Sequence, residues 1–371
     1  MSELTSVVQQ DELVAGDIYE VDQLLRELVD RNGSDLHMTA GCPPKVRVDG
    51  RLTSIGDVPL TPAEARRLTY GLLKEEQIAK FEQELELDLS FGMKDLGRFR
   101  MNVFQQRGSV GAVLRLIPNR IKGFKELDLP VMLCETLCEL PKGLILVTGA
   151  TGSGKSTTLA AMTDYINSTR REHIITIEDP IEFVHKHKNC VVNQREVGWD
   201  TKGFHAALRT VLREDPDVIL IGEMRDMETI EAAMRISETG HLTFATLHTS
   251  DCVQTINRII DVFPAGQQQQ IRTQLSFTLQ AVFCQQLLQR TDGRGRVLAT
   301  EILVANSAVR SLIRDDKAHQ IYSIIQTGGE RGMKTMNQSL LELYKDGAIS
   351  YDEAFSHSTD PDDLKRTFAQ L

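Results

Sequence analysis

The chain has no excess of positive charge. Its 371 residues carry 42 Lys+Arg against 52 Asp+Glu, a formal net charge of -10. A protein whose main task is to coat DNA or RNA is normally basic, so nucleic acid is not an expected partner. Long hydrophobic runs are also missing. None approaches the roughly 20 residues of a membrane-spanning helix, and the N-terminus has no basic-then-apolar signal pattern. Direct membrane insertion is therefore not expected, and the chain reads as cytoplasmic. Cysteine is sparse. Cys42, Cys134, Cys138, Cys190, Cys252 and Cys284 do not make a disulfide framework in a chain this long. Cys134 and Cys138 stand as C-x3-C without a second Cys or His pair, so structural zinc is not expected and reduced thiols are. No tandem repeat is visible.

What is present centres on Gly149-Ala150-Thr151-Gly152-Ser153-Gly154-Lys155-Ser156. This is G-x-x-x-x-G-K-S, a phosphate-binding loop. The apolar run Leu144–Val147 before it reads as a buried strand. Thr157-Thr158-Leu159-Ala160 after it reads as a helix start. Residues Gly149 to Thr157 are thus the candidate ATP-binding stretch. Glycines let backbone N–H groups curl round a phosphate, and the helix N-terminus adds partial positive charge. Lys155 can reach the β- and γ-phosphates, and the Ser156 hydroxyl can ligate Mg²⁺.

The flanking pattern divides the chain. Residues 1–16 read as a loose acidic tail. Residues 17–117 read as a small α+β domain: a helix over about 17–31, a short strand at 35–38, and a hairpin over 45–52 turning at Asp49-Gly50. A capped helical stretch follows from Thr61 to about Glu84, then three alternating strands end at Pro118. Residues 118–129 read as a linker. From 130 to 371 strands alternate with helices, the pattern of an α/β fold with a parallel sheet covered on both faces. The stripe Ile271, Leu275, Leu279, Val282 and Phe283 predicts one helix over about 265–289, and Val297–Val304 predicts a strand. Residues 306–371 read as mainly helical, broken at 327–329 and 345–347.

In parallel sheets ligands bind beyond the C-terminal strand ends, so other strands of this sheet should end in the polar groups that finish the chemistry. His173–Ile177 ends in Glu178, Val218–Ile221 in Gly222-Glu223, and Leu242–Leu247 in His248. Asp217 precedes its strand and falls at the wrong end, which makes Glu223 the candidate carboxylate beside Mg²⁺. A phosphate loop, a magnesium hydroxyl, two carboxylates and a histidine suit NTP hydrolysis. No arginine of the core is evidently placed to meet charge on the γ-phosphate. The first domain offers Arg98, Arg100, Arg107 and Arg115 on or beside its strands. A RecA-like nucleic-acid motor shares this phosphate chemistry, but the acidic balance and the absence of a basic, aromatic-studded strip oppose it. A small-molecule kinase needs an arginine-bearing lid that the sequence does not display.

Three runs go beyond a generic phosphate loop. Thr176–Phe183 (T-I-E-D-P-I-E-F) resembles the Asp box of the type II/IV secretion ATPase superfamily. Asp215–Asp226 resembles its atypical Walker B, with Glu223 as the acid. Glu238–Thr249 resembles its His box, containing His241 and His248. With Val192–Val197, the chain resembles the pilus-retraction members of that superfamily over about residues 20–355. The resemblance implies a PAS-like N-terminal domain on a RecA-like core, assembled as a homohexameric ring. It implies Mg-dependent ATP hydrolysis that drives pilus disassembly through an inner-membrane platform protein, alongside a paralogous retraction ATPase. It implies Glu178 as base, Glu223 on the magnesium side, and His248, with His241, sensing the γ-phosphate or coupling it to motion. Arg100, Arg107 and Arg115 would then act across a subunit or domain boundary. The retraction motif A-I-R-N-L-I-R-E reads here as Ala308-Val309-Arg310-Ser311-Leu312-Ile313-Arg314-Asp315, with Ser for Asn and Asp for Glu. Pilus-extension and type II secretion members carry a larger N-terminal region and a four-cysteine zinc module, and neither is visible.

Overall fold

The computed structural model describes residues 19–48, 50–117, 120–293 and 295–368. The tail 1–16, Asp49 of the hairpin turn, Pro118-Asn119 of the linker and Arg294 lie outside the described residues. The chain divides into two units, Met1–Asn119 and Arg120–Leu371.

The first unit runs α1 (Val21–Asp30), β1 (Asp35–Met38), β2 (Lys45–Val48), β3 (Arg51–Ser54), α2 (Pro62–Tyr70), α3 (Glu75–Glu84), β4 (Glu86–Met93), β5 (Gly97–Gln106) and β6 (Ser109–Ile117). Its strands form one antiparallel sheet in the order β3-β2-β1-β6-β5-β4. Thr61 starts α2 with a capping box: its hydroxyl accepts the Glu64 N–H while the Glu64 carboxylate accepts the Thr61 N–H. Strand alternation sends Leu36, Leu89, Met101 and Leu114 into a core with Leu24, Leu28, Leu68 and Phe81 of the helices. The residues between them face the other way. Ser90, Arg100, Arg115 and Asp35 are register partners across β4, β5, β6 and β1, so they form one row on that second face.

The second unit runs α4 (Val131–Cys138), β7 (Gly143–Thr148), α5 (Lys155–Thr169), β8 (His173–Glu178), β9 (Val191–Glu196), α6 (Phe204–Val211), β10 (Val218–Ile221), α7 (Met227–Glu238), β11 (Leu242–Leu247), α8 (Cys252–Asp261), α9 (Ala265–Thr278), β12 (Leu279–Gln289) and β13 (Arg296–Val304). It closes with α10 (Ser307–Arg314), α11 (Ile321–Thr327), α12 (Met336–Lys345), α13 (Tyr351–Ser356) and α14 (Pro361–Phe368). The sheet order is β13-β12-β7-β11-β10-β8-β9, parallel throughout except for β13 against β12. Leu144 and Leu146 of β7 pack into one layer with α7, α8 and α9. Ile145 and Val147 pack into the opposite layer with α4 and α5. Burying each such side chain contributes roughly 1.5–3 kcal/mol, and a strand buried on both faces shows no polar alternation.

That last point corrects one expectation. The single helix over 265–289 is a helix only to Thr278. Leu279–Gln289 is strand β12, paired directly with the phosphate-loop strand β7. Its apolar residues fit a helical stripe because both of its faces are buried, which erases the period-2 signal.

Candidate nucleotide site

The site is built at one edge of the seven-stranded sheet. Strand β7 ends at Thr148, and the next residues turn sharply: Gly149, Gly152 and Gly154 hold φ of 139°, 80° and 92°. Gly149 is also sterically fixed, since a Cβ there would lie 2.4 Å from the Gln285 carbonyl oxygen. The loop hands directly to α5, whose first residues are Lys155 and Ser156. Lys155 Nζ donates to the Gly149 and Ala150 carbonyls at 2.8 and 3.0 Å. Burial lowers its pKa, opposed by the nearby charges of Glu223 and Glu182. Ser153 Oγ is buried in the loop with no hydrogen-bond partner.

Parallel register carries the other groups to the same edge. Ala245 of β11, Ile221 of β10 and Ile177 of β8 all align with Leu146 of β7. His248, Glu223 and Glu178 therefore leave the sheet one, two and three strands from the loop, or about 5, 10 and 14 Å in the sheet plane. Gly222 permits the β8 and β10 tips to approach; a Cβ on it would meet the Glu178 Cα and the Ile177 carbonyl oxygen at 3.2 Å.

The surroundings shift the two carboxylates in opposite directions. Glu178 accepts hydrogen bonds on one oxygen from Thr176 Oγ1 at 2.6 Å and Gln194 Nε2 at 3.1 Å. Burial nevertheless wins and raises its pKa. Glu223 accepts from Arg225 Nη2 at 2.8 Å and faces His248 Nε2 at 3.3 Å. The Arg225 hydrogen bond, with added attraction from His248 and Lys155, holds the Glu223 carboxyl below the ordinary range. Glu223 is therefore a standing anion, and Glu178 is a carboxyl that takes a proton more readily.

His241 does not join them. It precedes β11 and its backbone carbonyl bonds Gly143 N at the start of β7, while its ring lies against the Ile236 carbonyl at 3.1 Å. The six-residue strand β11 separates it from His248, a span of about 20 Å at ~3.3 Å per residue. Within one chain, then, His241 does not stand beside His248 at the loop edge. Asp217 also lies at that far end, accepting the His173 N–H at 2.9 Å.

Arginines of the first unit differ in surroundings. Arg115 Nε donates to the buried Asp35 at 2.8 Å. Its register neighbour Arg100 is exposed, as is Arg107, which takes φ of 48° in the β5–β6 turn. Like charges opposite one another in a sheet are unfavourable, so the Arg100–Arg115 pair is not explained by stability.

The stretch Ala308–Asp315 forms α10 and its C-cap. Arg310 donates to the Ser276 and Phe277 carbonyls at 2.6 and 3.0 Å and to Gln280 Oε1 at 3.1 Å, capping the C-terminus of α9. Arg314 lies 5.8 Å from the centre of the exposed Phe277 ring. Val309 and Ile313 are buried, and Ala308, Ser311 and Leu312 help line a groove of about 590 Å³ against α11. Cys134 and Cys138 are buried on α4, where burial pushes the Cys134 thiol up to about 12.

Several neighbours were not singled out from sequence. Thr176, Gln194 and Arg225 hold the carboxylates; all three lie within the motif runs, which assign them no role. Arg225 follows Glu223 by two residues and Thr176 precedes Glu178 by two, so both proximities are visible in sequence. Arg296 reaches the loop itself, with Nη1 3.5 Å from the Gly152 carbonyl oxygen. It is a core arginine beside the loop that the sequence does not single out.

A phosphate loop followed by strand-tip carboxylates in a parallel sheet defines a P-loop nucleotidase. The family profile described as Type II/IV secretion system protein matches residues 11–356, and the chain belongs to that family. It is 48% identical over 345 residues to the type IV pilus retraction ATPase PilT of Pseudomonas aeruginosa, covering 93% of this chain and 100% of that one. It is 42% identical to the type IV pilus ATPase PilU of the same organism, covering 93% and 90%. A crystal structure of the pilus retraction motor PilT with bound ADP superposes with a TM-score of 0.88 at 53% identity, covering 94% of this chain and 99% of that chain.

Proposed function

We propose that this chain is an ATPase motor that retracts type IV pili, converting ATP and water to ADP and phosphate. The observation that carries the reading is the phosphate loop with two strand-tip carboxylates of opposite protonation tendency on the same edge of the sheet. Its end-to-end likeness to PilT supports the retraction direction. Lys155 and the loop N–H groups take the β- and γ-phosphates. Glu178 accepts the proton of the attacking water as its oxygen bonds the γ-phosphorus and the bond to the β–γ bridging oxygen breaks. His248, facing Glu223, senses the γ-phosphate.

The residues present fit Mg²⁺. Ser156 stands at the first turn of α5, Glu223 is held ionised, and both offer the hard oxygen donors that the ion prefers. Bound magnesium supplies charge neutralisation of the β- and γ-phosphate oxygens.

We read the second unit as a RecA-like core with a helical extension, the first as a PAS-like domain, and the working form as a homohexamer. One of Arg100, Arg107 and Arg115 then completes a site across a boundary. The motor works from the cytoplasm on an inner-membrane platform protein; no helix among the described residues is long and apolar enough to cross a membrane. The 42% identity to PilU supports a second reading, an accessory retraction ATPase beside a paralogue.

Deleting the gene in the source cell tests the function. Pili that extend and never retract are expected, with Lys155→Ala reproducing the defect. Normal retraction in both strains overturns the motor reading. Retraction lost only under load supports the accessory role.

A further inference from the structure

We propose that Arg296 contacts the phosphates of the bound nucleotide, and does so from the same subunit whose loop holds them. The inference rests on the reading of Gly149–Ser156 as the nucleotide site. Its basis is the register of the β12–β13 hairpin. Cys284 of β12 is paired with Thr148, the last residue of β7, and β12 continues to Gln289 beyond that point. Everything past Cys284 therefore runs alongside the loop rather than alongside a strand. The Gln285 carbonyl lies against Gly149, and the Gln285 amide donates to Thr158 Oγ1 of α5 at 2.8 Å. Leu287 lies 3.6 Å from where a Gly154 Cβ would be. Gln289 pairs with Arg296, the first residue of β13, and this brings the guanidinium to the Gly152 carbonyl at 3.5 Å. The hairpin lies against Gly149 and Gly154 of the loop and is hydrogen-bonded to α5, so the backbone of Arg296 is placed by a paired strand.

Its chemistry suits an anion. A guanidinium has five N–H donors, and Arg296 spends one on a carbonyl at the outer limit of hydrogen bonding. It makes no ion pair among the described residues and is exposed. Arg290 at the other side of the turn is engaged by Asp292 at 3.9 Å. Lys155 and Arg296 thus both donate to carbonyls of one loop, at Gly149 and Ala150 and at Gly152. Two cations on one loop whose amide groups also favour negative charge suit a polyanion. Arginine binds phosphate bidentately where lysine acts as a point charge.

The test uses the full chain. Wild type, Lys155→Ala, Arg296→Ala and Arg296→Lys are titrated with a fluorescent ATP analogue in the presence of magnesium, with inorganic tripolyphosphate as competitor. Losing a charge-assisted contact should weaken binding roughly ten- to a hundredfold in Arg296→Ala, weaken tripolyphosphate competition in parallel, and leave part of the affinity in Arg296→Lys. Unchanged affinity in Arg296→Ala overturns the proposal. Weaker analogue binding with unchanged tripolyphosphate competition also overturns it, since the contact would then be to base or ribose. If wild type binds no nucleotide, or Lys155→Ala binds as tightly as wild type, the site reading itself fails. The same-subunit clause is read from mixed oligomers of Arg296→Ala and Lys155→Ala, co-purified through two different tags. No activity beyond the sum of the parents is expected, because no site in such an oligomer is whole. Recovered turnover would put Arg296 in a neighbour's site and overturn that clause.

Discussion

Glu301 offers a sharp test of how the C-terminal helices are tied to the site. It lies on β13 opposite Cys284, is 1% exposed, and sits far from any surface role. One carboxylate oxygen accepts the Cys252 N–H at 2.8 Å, the first residue of α8; the other accepts the Met336 N–H at 3.4 Å, the first residue of α12. A single buried carboxylate therefore caps two helices. Glu301→Ala strands both N–H groups in the core. An unsatisfied buried donor costs about 1–3 kcal/mol, and the longer Met336 contact belongs at the low end. We expect a loss of about 3 kcal/mol, which lowers Tm of a unit this size by about 6–12 °C. Glu301→Gln keeps one acceptor and should cost about half as much. The variants also differ in pH dependence. Burial raises the Glu301 pKa, so the folded state holds that proton more tightly than the unfolded state. The wild-type contribution is then fully present below the ordinary Glu value and is lost as pH rises through the raised one. The wild-type advantage over Glu301→Gln should shrink across that window. Scanning calorimetry on the three proteins across pH reads both effects. An Ala variant that melts within 2 °C of wild type would refute the double-cap reasoning, since both N–H groups would then be satisfied without the carboxylate.

Three other outcomes are expected. Glu178 must be ionised to act as a base, so kcat should rise as pH climbs through its raised pKa, giving an acid limb above the ordinary Glu range. Thr176→Val removes a donor that favours the ionised form, so that limb should move to higher pH; a limb that stays put removes Glu178 from the base role. Gly222→Ala sets a Cβ 3.2 Å from the Glu178 Cα and the Ile177 carbonyl oxygen, both backbone atoms, and must part the β8 and β10 tips by a few tenths of an ångström. Since a 1 Å misplacement costs about 10² in rate, a fall of roughly tenfold in kcat with little change in KM is expected from steady-state kinetics. Arg310→Ala frees the α9 C-terminus and should cost about 2 kcal/mol in urea denaturation, with Arg310→Lys intermediate.

The legible and illegible parts of this chain separate by the range of the interactions that decide them. The phosphate loop and the Thr61 capping box are local: a few consecutive residues contain the whole cause. Strand tips were legible one step further out, because a buried apolar run has two ends and a parallel sheet places like ends together. That same rule separates His241 from His248. His241 stands before Leu242–Leu247 and His248 stands after it, so one of the two histidines had to lie at the far edge. Strand β12 was not legible in this way. Leu279, Val282 and Phe283 do recur at helical spacing, and only neighbours on both faces, fixed by the β7 and β13 pairings, make that segment a strand. Partners such as Gln194 for Glu178 come from adjacent strands, whose register no local pattern encodes.

The register also explains why two chemically identical side chains at the same sheet edge fall into different roles. Glu178 ends β8, which lies between β10 and β9; its side-chain hydrogen-bond donors are the neutral Thr176 and Gln194, and the nearby charge of Glu182 is of like sign. Neutral donors steady a carboxylate without cancelling the cost of burying its charge, so the proton affinity rises. Glu223 leaves β10 one strand nearer the loop, within the fields of Arg225, His248 and Lys155, and three positive or chargeable groups outweigh its partial burial. Hydrolysis needs one carboxylate that accepts a proton and one that keeps its charge beside a cation. Exchanging their partners should exchange their behaviour. Arg225→Gln relieves Glu223 of its main stabiliser and should raise its pKa, weakening magnesium-dependent nucleotide binding toward low pH while leaving the Glu178 limb where it was. A shift of the Glu178 limb instead would mean that the two carboxylates titrate as one coupled pair and that the division of roles by strand position is wrong.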